Sequence, residues 1–318
     1  MTRTPSGPEA VCGGGVESDE VCVPGTDLVA RLATEPFEVL ESVPVPGTTP
    51  AKKVLARFER EPRVRVLFKW RTVAPDFADA FNNSPRRELA AAATADMLFG
   101  ESQEVVPHST VLCLSRDRYP QLLADAEATF EDDACVAGLV TPWIYNAESV
   151  EELWDPQRYA EDPSYRVAVA RLNVLANVIA HGDSHSRNVL VDDAKAPKRV
   201  FLIDNGFAFS GLFNPLVRWF DKDRDWAKPV IPSLPGPVHE QLLRVDPVEF
   251  DRLATVAVLR RQGDAWVVTE VPRPLGDRFP PLESDAGIRR GEGVVQLGLT
   301  KQEIQDVRIR FAKLLETL

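Results

Sequence analysis

The residues His-Gly-Asp-Ser-His-Ser-Arg-Asn-Val-Leu-Val (181–191) are followed, after a polar segment, by Val-Phe-Leu-Ile-Asp-Asn-Gly-Phe-Ala-Phe (200–209). Each part contains a short apolar run that is typical of a buried β-strand, and the polar segment between them predicts a turn. Asp183 and Asn188 stand before the first run, and Asp204 ends the second. The sequence therefore predicts two short strands bordered by acidic and amide side chains.

These side chains are of the types that suit a divalent cation. Mg²⁺ prefers oxygen ligands and usually takes one or two carboxylates, with phosphates and waters completing its shell. In phosphoryl transfer, one Asp receives the proton of the acceptor hydroxyl, while an Asn and a second Asp hold the metal. Asp183, Asn188 and Asp204 match these three roles, and Gly206 is predicted to allow a sharp turn after the metal carboxylate. The alternative is a β-hairpin whose acidic ends are incidental.

The same residues carry a resemblance to a known superfamily. Gly-Asp-Ser-His-x-x-Asn (182–188) resembles the Gly-Asp-Arg-His-x-x-Asn catalytic loop of phosphatidylinositol 3- and 4-kinases. Ile-Asp-Asn-Gly-Phe-Ala-Phe (203–209) is similar to the metal-binding segment of type II phosphatidylinositol 4-kinases. His-Gly-Asp (181–183) also resembles the loop of aminoglycoside phosphotransferases and choline kinases. The chain thus resembles the atypical branch of the protein-kinase-like superfamily.

The resemblance implies an α+β fold of the two-lobed protein-kinase type. A small antiparallel sheet and a helix over residues 26–145 would form the lobe that covers the nucleotide. A mainly helical lobe over 146–318 would carry the catalytic loop. The implied activity is transfer of the γ-phosphoryl group of ATP, with Mg²⁺ as cofactor, to a hydroxyl. In this scheme Asp183 is the catalytic base, and His185 supports the loop or the γ-phosphate.

The predicted first lobe contains candidate nucleotide-binding residues. Three strand-like runs lie between Phe37 and Lys69, and a Pro-Gly-Thr-Thr-Pro turn (46–50) follows the first of them. In the kinase pattern this turn covers the phosphates through backbone amides and the hydroxyls of Thr48 and Thr49, although an ordinary hairpin turn has the same composition. Lys69 ends the third run, where kinases place the lysine that binds the α- and β-phosphates.

A helix is predicted directly after these strands. A Ser-Pro pair (84–85) is typical of a helix start, and Gly100 is typical of a helix end. Glu88 lies in the first turn of this helix, where the resemblance predicts an ion pair with Lys69. A plain carboxylate that favours the start of the helix is the alternative.

Hydrophobic periodicity predicts the remaining elements. A helix with an apolar stripe is predicted over 165–180 and leads directly into His181. Thr300 and Glu303 form a capping box that predicts the start of a final amphipathic helix. The other predicted elements are strands over 105–114, 136–144 and 264–271 and a helix over 248–262.

Composition limits the classes of protein that fit. With 318 residues, 44% of them hydrophobic and 27% charged, the chain is typical of a globular protein. A net charge of −11 argues against a nucleic-acid partner. No transmembrane segment or secretory signal is predicted, so a cytoplasmic location is expected.

The cysteines and the N-terminus add two expectations. The four cysteines at positions 12, 22, 113 and 135 are predicted to be reduced thiols, with pairing of Cys12 and Cys22 under oxidation as the alternative. Residues 1–25 offer little apolar surface and are therefore predicted to form a flexible tail.

Three departures from the lipid-kinase pattern leave the acceptor open. Ser184 stands where the lipid kinases have arginine, and the turn at 46–50 contains a single glycine. Basic and acidic side chains alternate over 218–228, so that no cationic cluster for inositol phosphates is visible. A lipid, a protein serine or threonine, and a small molecule all remain candidate acceptors. A nucleotide-binding pseudokinase that acts as a scaffold is the alternative, and the retained Asp183, Asn188 and Asp204 argue against it.

Overall fold

The computed structural model describes residues 25–47, 50–79, 83–100, 103–130, 135–144, 147–149, 153–192, 199–209, 226–228, 231–263, 265–269 and 285–316. The fold is mixed α+β, and all of its sheets are antiparallel in this part of the chain. The predicted phosphate-loop residues Thr48 and Thr49 lie outside these ranges, as do Cys12, Cys22 and nearly all of the predicted tail. No helix within these ranges is long and apolar enough to cross a membrane.

The first sheet has five strands in the order β1-β2-β3-β5-β4. Its strands are β1 (Phe37–Val45), β2 (Ala51–Phe58), β3 (Arg65–Thr72), β4 (Thr110–Ser115) and β5 (Cys135–Pro142). Apolar side chains alternate along these strands, because successive residues of a strand point to opposite faces. One face forms a core with the helices α1 (Gly25–Thr34) and α3 (Pro120–Leu123). The three strands predicted between residues 37 and 69 are confirmed.

Gly138 on β5 allows the first sheet to accommodate a large side chain. A Cβ atom at this position would lie 2.2 Å from the indole ring of Trp70 on β3. Trp70 is 1% exposed and belongs to the core under α1 and α3. The side chains that precede and follow Trp70 on β3, Lys69 and Arg71, therefore point to the opposite face of the sheet.

The helix α2 (Pro85–Phe99) connects the first sheet to a second core. It begins and ends as predicted, with Gly100 at a φ of 86° after its last turn. The Ser84 hydroxyl donates to Asp79 at 2.6 Å and does not bond the helix amides. Buried alanines of α2, Ala90 and Ala91 among them, pack with α5 (Pro163–Val178) in the second core.

The second core surrounds α5, which lies close to its predicted bounds. It also includes residues of α4 (Pro156–Glu161), α6 (Gly236–Leu243) and α7 (Lys301–Glu316). A three-stranded sheet of β6 (Glu148–Ser149), β7 (Val189–Val191) and β8 (Val200–Leu202) borders it. The predicted pair of short strands is therefore present as β7 and β8.

A second large sheet, in the order β10-β9-β12-β11, packs on the first sheet. Its strands are β9 (Ala257–Gln262), β10 (Ala265–Thr269), β11 (Ile288–Gly291) and β12 (Val294–Leu297). Leu259 and Leu297 share a core with Leu139 of β5, and the ring of Trp266 stacks on Phe130 at 4.3 Å. The strands β9 to β12 thus pack against a sheet that lies in the other predicted domain.

The helix predicted over 248–262 is wrong in its second half. A 3₁₀ helix spans Pro247–Ala254, and β9 follows it. β9 pairs on both sides, with β10 and β12. Ala257, Val258 and Leu259 are all buried, and a short run of buried apolar residues fits a strand and a helix equally well on periodicity alone.

The prediction of reduced thiols is wrong for Cys113 and Cys135, which form a disulfide. Their Cα atoms are 5.5 Å apart on the paired strands β4 and β5. The two residues are 22 positions apart in the chain, and only the antiparallel pairing of the strands brings them together. The spacing of the cysteines in the sequence does not contain this information.

Candidate active site

The predicted catalytic loop joins α5 to β7. The amide of His181 donates to the carbonyl of Ala176 in the last turn of α5, at 2.9 Å. Farther along the loop, Nδ2 of Asn188 donates to both the carboxylate and the backbone carbonyl of Asp183, each at 2.9 Å. Asp183 and Asn188 are both buried. The loop therefore holds the Asp183 carboxylate in one orientation.

Two histidines lie on either side of Asp183. Nδ1 of His181 accepts a hydrogen bond from the Asp183 amide at 3.2 Å, and burial lowers the pKa of this fully buried imidazole. Nε2 of His185 lies 3.5 Å from Oδ1 of Asp183, and its Nδ1 accepts from the Arg187 amide at 3.1 Å. Of the two, His185 is thus the histidine that faces the carboxylate itself.

Asp204 lies next to Asn188 because β7 and β8 pair. Val189 is opposite Leu202, and the Ile203 amide donates to the Asn188 carbonyl at 2.9 Å. Asp204 has a φ of 56° and a ψ of 56°, in the left-handed region that aspartate adopts more readily than most residues.

A sharp turn follows Asp204, as predicted. Gly206 lies within it, in a 3₁₀ turn over Asn205–Phe207, and is not among the glycines with positive φ. The positive φ falls on Asp204 itself. Non-glycine residues with left-handed backbone angles cluster at functional sites, where the surrounding structure maintains this conformation.

A cluster of four charged side chains connects β3 and α2 to this turn. Oδ1 of Asp204 accepts hydrogen bonds from Nζ of Lys69 at 2.8 Å and from Nη2 of Arg71 at 2.7 Å. The same Nη2 lies 3.2 Å from Oε1 of Glu88. Asn205 also contacts Glu88, donating from Nδ2 at 3.3 Å. We call Lys69, Arg71, Glu88 and Asp204 the site cluster.

The predicted ion pair between Lys69 and Glu88 is wrong, since Lys69 pairs with Asp204 and Glu88 pairs with Arg71. Arg71 is not among the site residues predicted from the sequence. The order Lys69, Trp70, Arg71 contains a signal for its position. Successive residues of a strand point to opposite faces, so a buried Trp70 places both cations on the other face. Two cations, and not one, therefore reach the site from β3.

The cations of the site cluster keep Asp204 ionised. Burial by itself would raise the pKa of its carboxyl, but the charges of Lys69 and Arg71 outweigh burial and hold the pKa below its usual range. The residue that would ligate a metal is thus a carboxylate at neutral pH.

The remaining oxygen atoms of the loop and the turn are of the chemical type that Mg²⁺ prefers. The amide nitrogen of Asn188 is used by Asp183, and one carboxylate oxygen of Asp204 is used by Lys69 and Arg71. Oδ1 of Asn188 and Oδ2 of Asp204 make no hydrogen bond within the described ranges. Nor do those ranges contain a group of three or more His, Cys, Asp or Glu side chains placed to hold a metal. Mg²⁺ commonly takes so few protein ligands when phosphates and waters complete its shell.

Ser184 has a structural partner where the lipid kinases have arginine. Its hydroxyl accepts a hydrogen bond from the Ala227 amide at 3.2 Å. On the other side, Nδ2 of Asn177 donates to the Ala227 carbonyl at 2.8 Å, and Nδ2 of Asn173 donates to the Trp226 carbonyl at 2.8 Å. Residues 226–228 are therefore bound both to α5 and to the residue after Asp183.

No family model matches this chain, and no curated protein matches it. Among solved structures, one described as "FAT and kinase domain of CtTel1" shares 14% identity with a TM-score of 0.32. The match covers 54% of this chain and 15% of that structure, so the chain spans a small part of its length. The likeness is too weak to assign a fold or a function.

Proposed function

We propose that this protein is an ATP- and Mg²⁺-dependent phosphotransferase that moves the γ-phosphoryl group to a hydroxyl acceptor. One observation carries the proposal: Lys69, from the five-stranded sheet, contacts Asp204 at 2.8 Å, and Asp204 follows Asn188 across the β7–β8 pair. A strand lysine, a catalytic Asp with its Asn, and a downstream Asp are the parts that phosphoryl transfer requires. They come from three separate segments of the chain.

The proposal includes a two-lobed, kinase-like arrangement. The five-stranded sheet and α2 would form the lobe over 26–145, and the core around α5 would form the lobe over 146–318. The sheet of β9–β12 would then be an addition that covers the first lobe, since its core residues lie with those of β4 and β5.

Each residue of the site has a proposed role. Lys69 binds the α- and β-phosphates, together with Thr48 and Thr49 of the turn between β1 and β2. Asp183 orients the acceptor hydroxyl and receives its proton, with His185 supporting the carboxylate. Asn188 and Asp204 would hold Mg²⁺, which when bound would supply positive charge against the phosphates. Most of the rate enhancement in this class comes from positioning and from charge stabilisation.

The alternative of a hairpin with incidental acids explains less of the geometry. Burying a charged group is costly unless it is paired and hydrogen-bonded. Asp183, Glu88 and Arg71 are all buried here, Asp183 accepts a hydrogen bond from Asn188, and Glu88 forms an ion pair with Arg71. Concentrations of buried charge beside a strained backbone are characteristic of functional sites.

A nucleotide-binding scaffold without catalysis is a second candidate. It is favoured by the double ion pair on Asp204, which occupies one oxygen of the proposed metal ligand. A scaffold would bind ATP and Mg²⁺ without transferring a phosphoryl group.

The two functions are separated by measuring binding and transfer in parallel. Thermal unfolding is followed with ATP, with Mg²⁺ and with both, and transfer is followed with γ-labelled ATP. The acceptors are phosphatidylinositol vesicles, a serine-rich protein, a set of small alcohols, and water. A phosphotransferase gives a Mg²⁺-dependent shift and a labelled product, whereas a scaffold gives the shift alone. Absence of any shift with Mg²⁺ and ATP contradicts both.

A further inference from the structure

Arg71 is the more deeply buried of the two cations that contact Asp204. Its side chain is 4% exposed, against 21% for that of Lys69. Its guanidinium contacts both carboxylates of the site cluster, Asp204 at 2.7 Å and Glu88 at 3.2 Å. The planar, multi-donor head of arginine suits such a bridge, and a lysine ammonium on a flexible stem does not.

The formal charges of the site cluster sum to zero without any added ion. Lys69 and Arg71 supply two positive charges, and Glu88 and Asp204 supply two negative charges. A free divalent cation that approaches Asp204 meets both positive charges at hydrogen-bonding distance from the ligand carboxylate. This repulsion is stronger in a site shielded from water than in bulk solution.

We propose that Arg71 is a positioning residue that prevents a free divalent cation from binding at Asp204, so that the metal enters only together with the nucleotide. The inference rests on the proposed function. Nucleotide phosphates would bring negative charge and give the partly exposed ammonium of Lys69 another partner, whereas Arg71 would remain between Glu88 and Asp204. The role belongs to Arg71 because it is buried and bridges two elements, α2 and the turn after β8.

The inference is tested by titrating the nucleotide-free protein with Mn²⁺ and measuring the free ion by electron paramagnetic resonance. We expect the Arg71→Gln variant to bind Mn²⁺ about tenfold more tightly than the wild type, because one repelling charge is gone. Arg71→Lys, which keeps the charge, is expected to bind Mn²⁺ as weakly as the wild type. Adding Asp204→Asn to Arg71→Gln should remove the gain in Mn²⁺ affinity, which would show that the ion binds at Asp204.

The matched control is Arg57→Gln on β2 of the same sheet. It also removes one positive charge, but the Arg57 side chain is 40% exposed and pairs with Glu38. Its affinity for Mn²⁺ should equal that of the wild type. A gain in this control as large as in Arg71→Gln would show that net charge alone acts, and would overturn the inference.

Two further measurements cover a variant that does not fold and separate failure of the inference from failure of the proposed function. If Arg71→Gln does not fold, the double variant Arg71→Gln/Glu88→Gln, which keeps the cluster balanced, replaces it and should also bind Mn²⁺ more tightly than the wild type. Wild-type protein is titrated separately with the Mn²⁺–ATP complex. Binding of this complex without a gain for the Arg71 variants overturns the inference and leaves the proposed function intact. No binding of the complex overturns the proposed function, and the inference with it.

Discussion

Two networks of charged side chains include residues of the first turn of α2. They differ in whether every carboxylate oxygen accepts a hydrogen bond in the part of the chain that the structure describes. In the site cluster, Asp204 receives both cations on one carboxylate oxygen. In the second network, Arg86 donates to Glu303 at 2.6 Å and to Asp79 at 2.7 Å. Glu303 also accepts from the Thr300 amide at 2.9 Å. The second network is satisfied internally and holds α2 to α7, whereas the site cluster keeps an oxygen for a ligand.

The comparison suggests which network serves stability and which serves function. A saturated buried network is costly to break, because removing one partner leaves the others buried and unpaired. An unsaturated network has a weaker structural effect and can bind an ion. Substitutions at the candidate active site should therefore mainly lower activity, whereas substitutions in the second network should mainly lower stability.

The largest effect is expected from Asp183→Asn, on activity alone. The amide keeps the shape of the carboxylate but cannot accept the proton, so we expect phosphoryl transfer to fall about a thousandfold. The shift in thermal unfolding with Mg²⁺ and ATP should be retained. Transfer is measured with γ-labelled ATP, and Asp251→Asn, an exposed carboxylate beside Arg308, is the control. Wild-type turnover in the Asp183 variant would contradict the assigned role.

A large loss of stability is expected from Arg86→Ala. The substitution removes the nearest cation of Glu303 and Asp79 and leaves them the longer ion pairs with Arg87, at 3.3 Å and 3.7 Å, so we expect the free energy of unfolding to fall by about 3 kcal/mol. Urea denaturation measures the change. Arg308→Ala, which breaks an ion pair with the exposed Asp251, should cost less than about 1 kcal/mol. Equal losses of unfolding free energy in the two variants would contradict the greater stabilising effect that we assign to the buried network of Arg86.

His108 provides a titratable network at the other end of α2. Its Nε2 lies 3.1 Å from Asp96, and its Nδ1 lies 3.5 Å from Glu104. Burial alone would lower the pKa of His108, but the two carboxylates outweigh burial and raise it from 6.5 to about 9. The protonated imidazole therefore stabilises the folded state.

The pH dependence follows from the sign of this shift. The contribution is fully present below pH 6.5, the ordinary pKa, and is lost as the pH rises through about 9. We expect about 3 kcal/mol of unfolding free energy to disappear over this interval. Wild type and His108→Gln are compared by urea denaturation at several pH values. A difference between them that stays constant from pH 6 to pH 10 would contradict the raised pKa.

The smallest effect is expected from Thr300→Ala. The Thr300 hydroxyl accepts a hydrogen bond from the Glu303 amide at 3.1 Å and completes the predicted capping box of α7. Loss of this cap should lower the free energy of unfolding by about 1 kcal/mol, and Thr300→Ser should restore it. Activity should not change, since Glu303 keeps both of its arginine partners. A change in transfer rate would mean that α7 also positions the site cluster.

The sequence allowed the local parts of this structure to be predicted, and the reasons are physical. β1 to β3 follow from alternating apolar residues, and α2 follows from its Ser-Pro start and Gly100. The contact of Asp183 with Asn188 lies within one loop, so the spacing of the two residues already contains it.

Contacts between distant segments could not be predicted in the same way. The partner of Glu88 depends on how α2 lies against β3, and two cations on one face of that strand can compete for it. The Cys113–Cys135 disulfide depends on strand pairing. The strand β9 was predicted as a helix because its buried run lacks the alternation of a strand that is exposed on one face.

The bonds around Ser184 have a consequence for engineering this protein. The Phe209 amide donates to the Ile179 carbonyl at 2.7 Å, and Ala227 is held by Ser184 and Asn177. The chain therefore leaves the site and returns to it at two fixed points on the same end of α5. The entropy of closing a loop rises only slowly with its length, so a segment of another length that joins these two points would add little to the cost of closure. The hydrogen bonds of Ile179, Ser184 and Asn177 would keep both of its ends in place.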